Sequence, residues 1–154
     1  MNRDTDDFKT LEQDTRVKYQ SDAKTNAQIV AASLGESIKT IEERQGAFVK
    51  PITVYVPSSV DNFAKYCASK NPGGCVLNGR LFISPKKENT EERIPKVLAH
   101  ELSHLQMEQA LGIWKHYTHV PAWFREGLAV YVSKGGGAES VSIEDARQAI
   151  ISGC

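Results

Sequence analysis

The chain has 154 residues, of which 40% are hydrophobic and 25% are charged, proportions that are ordinary for one globular domain. Nineteen Lys and Arg residues balance nineteen Asp and Glu residues, so the net charge gives no electrostatic reason to expect nucleic acid or an anionic membrane as a bulk partner. No stretch has the pattern of a transmembrane segment or of a signal peptide, and we expect either a mature form or a part of a longer protein.

Acidic residues dominate the start of the chain. The first 14 residues carry five acidic groups against two basic ones, with few apolar side chains. Such a composition offers little apolar surface for packing. The sequence therefore predicts a loosely ordered lead-in over residues 1–25, followed by a single domain over residues 26–154.

Three elements are predicted after the lead-in. Apolar side chains recur every three to four residues across 26–44, which predicts an amphipathic helix. These side chains are Val30, Leu34, Ile38 and Ile41. A β-branched and aromatic run fenced by prolines over 51–57 predicts a strand. Ser58 or Ser59 is suited to cap a short helix that continues through Tyr66.

A loop and a β-hairpin come next. The Asn-Pro-Gly-Gly sequence of residues 71–74 is typical of a loop. Two short apolar runs, 75–77 and 80–84, flank Asn78 and Gly79, the dipeptide that best fits a two-residue hairpin turn. Together with the two long helices described below, these elements predict an α+β domain.

The chain contains an H-E-x-x-H motif whose histidines are His100 and His104. Apolar residues at helical spacing surround the motif, Pro95 suits the first turn of a helix and Gly112 suits its end. Residues four apart on a helix share a face, so both imidazoles can bind one metal ion. Glu101 is turned about 100° away and is better placed to act on a water molecule at the metal.

A third ligand is expected on another element, because catalytic zinc sites usually hold three protein ligands and leave one position open. The segment 120–132 predicts a second helix, with Pro121 at its start and three glycines beyond its end. Glu126 lies in the middle of this largely apolar segment, where a metal ion would offset the cost of burying a carboxylate. Partial exposure, or an ion pair with Arg125 or Lys134, is the alternative.

These two segments resemble the gluzincin metallopeptidases, in particular the small bacterial domains called peptidase MA-like. The likeness rests on the H-E-L-S-H motif and on the later W-F-R-E-G-L-A-V-Y of residues 123–131. The resemblance implies that His100, His104 and Glu126 bind one zinc ion and that Glu101 is the catalytic base.

The resemblance also implies a zincin-like fold, in which a small sheet with a hairpin edge packs on the active-site helix beside a second ligand-bearing helix. In that clan an extended peptide pairs with the edge strand, and residues 80–84 are our candidate for it. An ordinary solvated hairpin is the alternative. The expected activity is hydrolysis of peptide bonds in a peptide or protein substrate by zinc-bound water that Glu101 activates. The alternative is a catalytically inactive, zinc-containing module that binds peptides or acts as a scaffold.

A peptidase also needs a hydrogen-bond donor for the negatively charged oxygen that forms during hydrolysis. His116, Tyr117 and His119 fall between the two ligand-bearing helices and are candidates. Tyr117 is preferred because thermolysin-like relatives draw a tyrosine from this connection. Tyr131 and Trp114 are interpreted as packing residues.

Three cysteines are present, and Cys67 and Cys75 bracket a Pro-Gly-Gly loop. A disulfide between them would imply an oxidising compartment, whereas free thiols in a reducing cytosol are the alternative. An extracytoplasmic location is slightly favoured. Residues 141–151 predict a further amphipathic helix, and the chain ends soon after it, at Cys154, which leaves open a continuation beyond this residue.

Overall fold

The computed structural model describes residues 5–135 together with residues 148 and 151. These residues form a mixed α/β structure with a five-stranded sheet. The strands are β1 (Lys9–Thr10), β2 (Val17–Tyr19), β3 (Val54–Val56), β4 (Gly74–Leu77) and β5 (Arg80–Ile83). The helices are α1 (Lys24–Arg44), α2 (Val60–Cys67), α3 (Ile94–Leu111), α4 (Ile113–Thr118) and α5 (Ala122–Val132). The helix predicted over 141–151 lies outside the described residues except at positions 148 and 151.

The sheet has the strand order β1-β2-β3-β5-β4. β2, β3 and β5 run parallel, whereas β1 and β4 are antiparallel to their neighbours. The predicted hairpin is confirmed, since β4 pairs with β5 around Asn78 and Gly79. Both turn residues have positive φ, 49° and 77°, as the tight turns that match strand twist require.

Strands β1 and β2, within residues 9–19, are part of this sheet, which differs from the loosely ordered lead-in expected for residues 1–25. β2 pairs in parallel with β3, with Val17 opposite Val54. Leu11 and Val17 are buried in the main core. The acidic composition suggested too little apolar surface for packing. A few apolar side chains are nevertheless enough to hold two short strands when a neighbouring strand is available for pairing.

Each face of the sheet packs on different helices. Valine, leucine and isoleucine side chains from one face join α1 and α3 in the main core. On the other face, Tyr55 and Phe82 stack with ring centroids 5.1 Å apart, and Tyr66 of α2 stacks on Phe82 at 4.7 Å. The alternation of side chains along each strand produces these two separate clusters.

Helix α3 is buried on almost all sides, because it lies against α1, α4, α5, β4 and β5. Its rotation is held by Gln45, at the end of α1. Ser103 Oγ donates to Gln45 Oε1 at 2.6 Å, and Gln45 Nε2 donates to the Ser103 carbonyl at 2.8 Å and to Gln106 Oε1 at 2.6 Å. These bonds fix the rotation of α3 about its own axis, and in this orientation His100 and His104 face Glu126 of α5.

Helix α5 is more exposed than its apolar sequence suggested. It buries four residues, namely Gly127, Ala129, Val130 and Val132. Trp123, Phe124 and Tyr131 are exposed. Among the described residues, no helix has both the length and the apolar character needed to cross a bilayer.

Candidate metal centre

The two motif histidines lie one turn apart on α3 with their rings directed to the same point. Their Nε2 atoms are 3.2 Å apart. His100 is buried, and 13% of the His104 side-chain surface is exposed. Pro95 occupies the first turn of α3 and Gly112 ends it with a φ of 82°, so both predicted boundaries of the motif helix are confirmed.

Glu126 reaches the same point from α5. Its Oε2 atom is 3.3 Å from His100 Nε2, and its Oε1 atom is 3.3 Å from His104 Nε2. One donor atom from each of the three residues can be chosen so that all lie within 4.8 Å of one another. The structure thus brings together the three residues that the sequence nominated, although Glu126 lies 22 positions after His104 in the chain.

These distances fit one small divalent cation. Ligand atoms held about 2.0–2.1 Å from a tetrahedral ion lie about 3.3 Å from each other, which matches the distance between the two Nε2 atoms and the distance from each Nε2 to one of the two Glu126 oxygens. Without a cation, each Nε2 would need a proton to donate to Glu126, and the two N–H groups would then face each other. Two imidazoles and one carboxylate are a donor set that suits zinc and similar metals.

The electrostatic setting of Glu126 favours its charged form. Partial burial opposes ionisation, but hydrogen bonds from His100 and His104 outweigh burial and hold the pKa of Glu126 well below its usual range. Arg125, the alternative partner considered from the sequence, instead donates to the main-chain carbonyls of His116 and Val120 at 3.0 and 2.7 Å. The Glu126 side chain is 61% exposed, so it contacts the histidines from the solvent side.

Glu101 lies beside these ligands and faces the same cleft. It is buried, and burial raises its pKa, although the charges of His104 and His100 act in the opposite direction. Its position is restricted by Gly74 of β4. A Cβ atom added to Gly74 would lie 2.8 Å from Glu101 Cγ and 2.9 Å from the Phe82 carbonyl oxygen, closer than atoms of these types normally approach.

The strand beside the cleft is β4 and not the strand that the sequence nominated. Residues 80–84 contain β5, which lies inside the sheet between β3 and β4. β4 forms the edge of the sheet beside the cleft, which is lined by its residues Gly74, Cys75 and Val76. The order of strands depends on which hairpin strand pairs with β3, and hairpin sequence alone does not determine that choice.

A disulfide joins the end of α2 to this edge strand. It links Cys67 to Cys75, the pair that the sequence offered as an alternative to free thiols. Because Cys75 follows Gly74, the bond tethers the part of β4 that packs against Glu101. Cys154 lies outside the described residues.

The cleft has a volume of about 550 Å³, and two of the three candidate hydrogen-bond donors for the oxyanion line it. Tyr117 is half exposed in the cleft, where partial burial and the nearby Glu108 carboxylate raise its pKa. His116 also lines the cleft but is only 1% exposed, and burial lowers its pKa to about 4. His119 does not line the cleft, and its Nδ1 lies 2.7 Å from Thr118 Oγ1.

Sequence reasoning missed two features of the cleft. Gly74 approaches Glu101 closely, and a glycine inside a predicted strand could have signalled such an approach. Arg125 also lines the cleft, with its Cζ atom 5.1 Å from the centre of the Tyr117 ring. No local pattern marked Arg125, because its position depends on how α4 packs against α5.

In comparisons with known proteins, no family model, no curated protein and no solved structure matches this chain. The resemblance to gluzincins therefore rests on the motif residues themselves. The geometry of His100, His104 and Glu126 is what supports a metal site.

Proposed function

We propose that this protein is a zinc-dependent metallopeptidase of gluzincin type with a zincin-like fold. In this proposal His100, His104 and Glu126 bind the metal and Glu101 is the general base. The observation that carries the proposal is the convergence of three metal-binding side chains at an open cleft, with a buried carboxylate beside them.

Each part of the site has a role in this reaction. When bound, zinc supplies a Lewis acid that polarises a carbonyl oxygen and acidifies water. Glu101 accepts one proton from water as the water oxygen adds to the carbonyl carbon of the peptide bond. It then returns that proton to the leaving nitrogen as the carbon–nitrogen bond breaks. The products are a carboxylic acid and an amine.

The openness of the site supports catalysis over a purely structural role. Structural zinc sites usually close with four protein ligands, whereas catalytic sites keep a position for water or substrate. Among the described residues the donor set contains three members, and the Glu126 side chain is 61% exposed. A position facing the cleft is thus free for a small molecule.

The edge strand supports a peptide as the substrate. β4 pairs with β5 on one side, and among the described strands none pairs with its other side. An extended peptide can add to such an edge through main-chain hydrogen bonds. Because β4 lines the cleft, a peptide bound there would lie close to Glu101.

Metal content tests the ligand assignment. Protein purified without an affinity tag should contain one equivalent of zinc. His104→Ala and Glu126→Ala should release it, because each removes one of three donors. Glu101→Gln should retain it. If wild-type protein held no metal after incubation with zinc and dialysis, the proposed metal site would be wrong.

Turnover tests the role of the base. Casein and a mixed fluorogenic peptide library, with and without chelator, should show chelator-sensitive cleavage. Glu101→Gln should lower turnover by about 100-fold or more, since general-base catalysis contributes about that factor. Glu36→Gln is the control for the loss of one carboxylate, because Glu36 is exposed on α1 and does not line the cleft. Peptide retention without cleavage by the zinc-loaded protein would instead favour the inactive peptide-binding module.

A further inference from the structure

A surface next to the cleft exposes an unusual number of large apolar side chains. Nine large hydrophobic residues are exposed among the described residues, and seven of them fall between positions 111 and 131. We call six of these the aromatic patch: Leu111, Ile113, Trp114, Tyr117, Trp123 and Phe124. Trp114 is 75% exposed, although the sequence suggested a packing role. Exposed apolar clusters of this kind commonly mark interaction surfaces.

Helix α4 has the reverse of the usual amphipathic arrangement. Its buried residue is His116, whereas Ile113, Trp114 and Tyr117 are exposed. Surface helices normally bury apolar side chains and expose polar ones. The other members of the aromatic patch, Trp123 and Phe124, lie in the first turn of α5 with their rings 5.9 Å apart in an edge contact. The next residue, Arg125, lies over the Tyr117 ring of α4, with its Cζ atom 5.1 Å from the ring centre.

The charge around the aromatic patch indicates what kind of partner it fits. Residues 109–125 contain no Asp or Glu, although 19 acidic residues occur in the whole chain. The same stretch contains Lys115, which is exposed, and Arg125. Exposed tryptophan and tyrosine beside basic side chains are typical of segments that lie in the interface of a bilayer with anionic lipids.

We propose that the aromatic patch docks on the surface of a lipid bilayer that contains anionic lipids. Trp114 and Trp123 insert at the level of the headgroups, and Lys115 contacts anionic headgroups. Tyr117 and Arg125 also line the cleft, so docking places the cleft next to the membrane surface. This inference goes beyond the proposed peptidase activity and does not depend on it.

The two tryptophans provide a direct test. They are the two tryptophans of the chain, so tryptophan fluorescence, excited selectively over tyrosine, reports on the aromatic patch alone. Phosphatidylcholine vesicles that contain phosphatidylglycerol should shift the emission to shorter wavelength, and acyl chains labelled with bromine should quench it. Added salt and the omission of phosphatidylglycerol should weaken both effects.

Variants identify the surface that binds. In co-sedimentation with these vesicles, Lys115→Gln should lower partitioning about fivefold, because one basic residue near an anionic surface contributes that much. Trp114→Ser should lower it about tenfold, since the indole ring no longer leaves water. Val49→Ser is the matched control and should change nothing, because Val49 is 66% exposed and lies outside the aromatic patch.

Three results would overturn the inference. The first is unchanged emission and no sedimentation with anionic vesicles. The second is an equal effect of Val49→Ser and Trp114→Ser. The third is an emission shift that depends on protein concentration and needs no vesicles, which would assign the aromatic patch to contact between two copies of the chain.

Discussion

The contact between Gly74 and Glu101 predicts that one methyl group on the edge strand will disturb the base. In Gly74→Ala the new Cβ would lie 2.8 Å from Glu101 Cγ, 2.9 Å from the Phe82 carbonyl oxygen and 3.3 Å from Val97 Cγ1. Carbon atoms normally approach to about 3.5–4.0 Å, so some atoms must move by about 0.7 Å or more. Phe82 belongs to the partner strand β5, which restrains its carbonyl, and the movement therefore falls largely on Glu101.

Two magnitudes follow for Gly74→Ala. Forcing an extra methyl group into a packed site costs about 1–3 kcal/mol, and the lower chain entropy of alanine in the unfolded state offsets about 0.4–1 kcal/mol. The free energy of unfolding should fall by about 1–2 kcal/mol. Displacement of a catalytic group by about 1 Å can lower turnover by about 100-fold. Zinc content should not change, since the three atoms nearest to the added methyl group belong to Glu101, Phe82 and Val97 and not to a proposed ligand.

Gly35→Ala is the matched control for this experiment. Gly35 lies in α1, and a Cβ added there would meet no atom within 4 Å. Alanine is favoured over glycine in a helix by about 1 kcal/mol, so this variant should be slightly stabilised and fully active. Urea unfolding followed by circular dichroism measures stability, and cleavage of a fluorogenic peptide measures turnover. Wild-type stability and turnover in Gly74→Ala would refute the argued contact between β4 and the base.

Two further predictions concern pH and redox state. Burial, followed by the charges of Arg125 and His104, lowers the pKa of His116 from 6.5 to about 4. Between pH 6.5 and pH 4 the unfolded state therefore binds more protons than the folded state. The free energy of unfolding should fall by up to about 3 kcal/mol as the pH is lowered across this range. In urea unfolding of protein from which metal has been removed by a chelator, His116→Gln should reduce this dependence on pH. If the free energy of unfolding of His116→Gln varied with pH as steeply as that of the wild type, the role given to His116 would be wrong. Opening the Cys67–Cys75 disulfide, which closes a separation of eight residues, should lower the free energy of unfolding by about 2.5 kcal/mol. Calorimetry with and without dithiothreitol measures this loss, and Cys67→Ser should show the low value in both conditions.

Much of the local structure could be predicted because its causes are local. Ser59, one of two candidate caps, accepts a hydrogen bond from the Asn62 amide at 3.1 Å at the start of α2. The Asn78-Gly79 turn follows from the preference of these two residues for positive φ. By contrast, β1 and β2 were missed, since strands of two and three residues carry almost no periodicity and depend on a partner strand.

The sequence by itself determined the pair formed by His100 and His104, because one turn of a helix brings residues four apart onto the same face wherever that helix lies. It also nominated Glu126 as the third ligand, with partial exposure or an ion pair with Arg125 or Lys134 as the alternative. Only the tertiary structure decided that Glu126 meets both histidines and that β4 borders the cleft. The reason is physical: the packing of α5 against α3 and the order of strands arise from contacts between segments far apart in the chain, and no local preference specifies them.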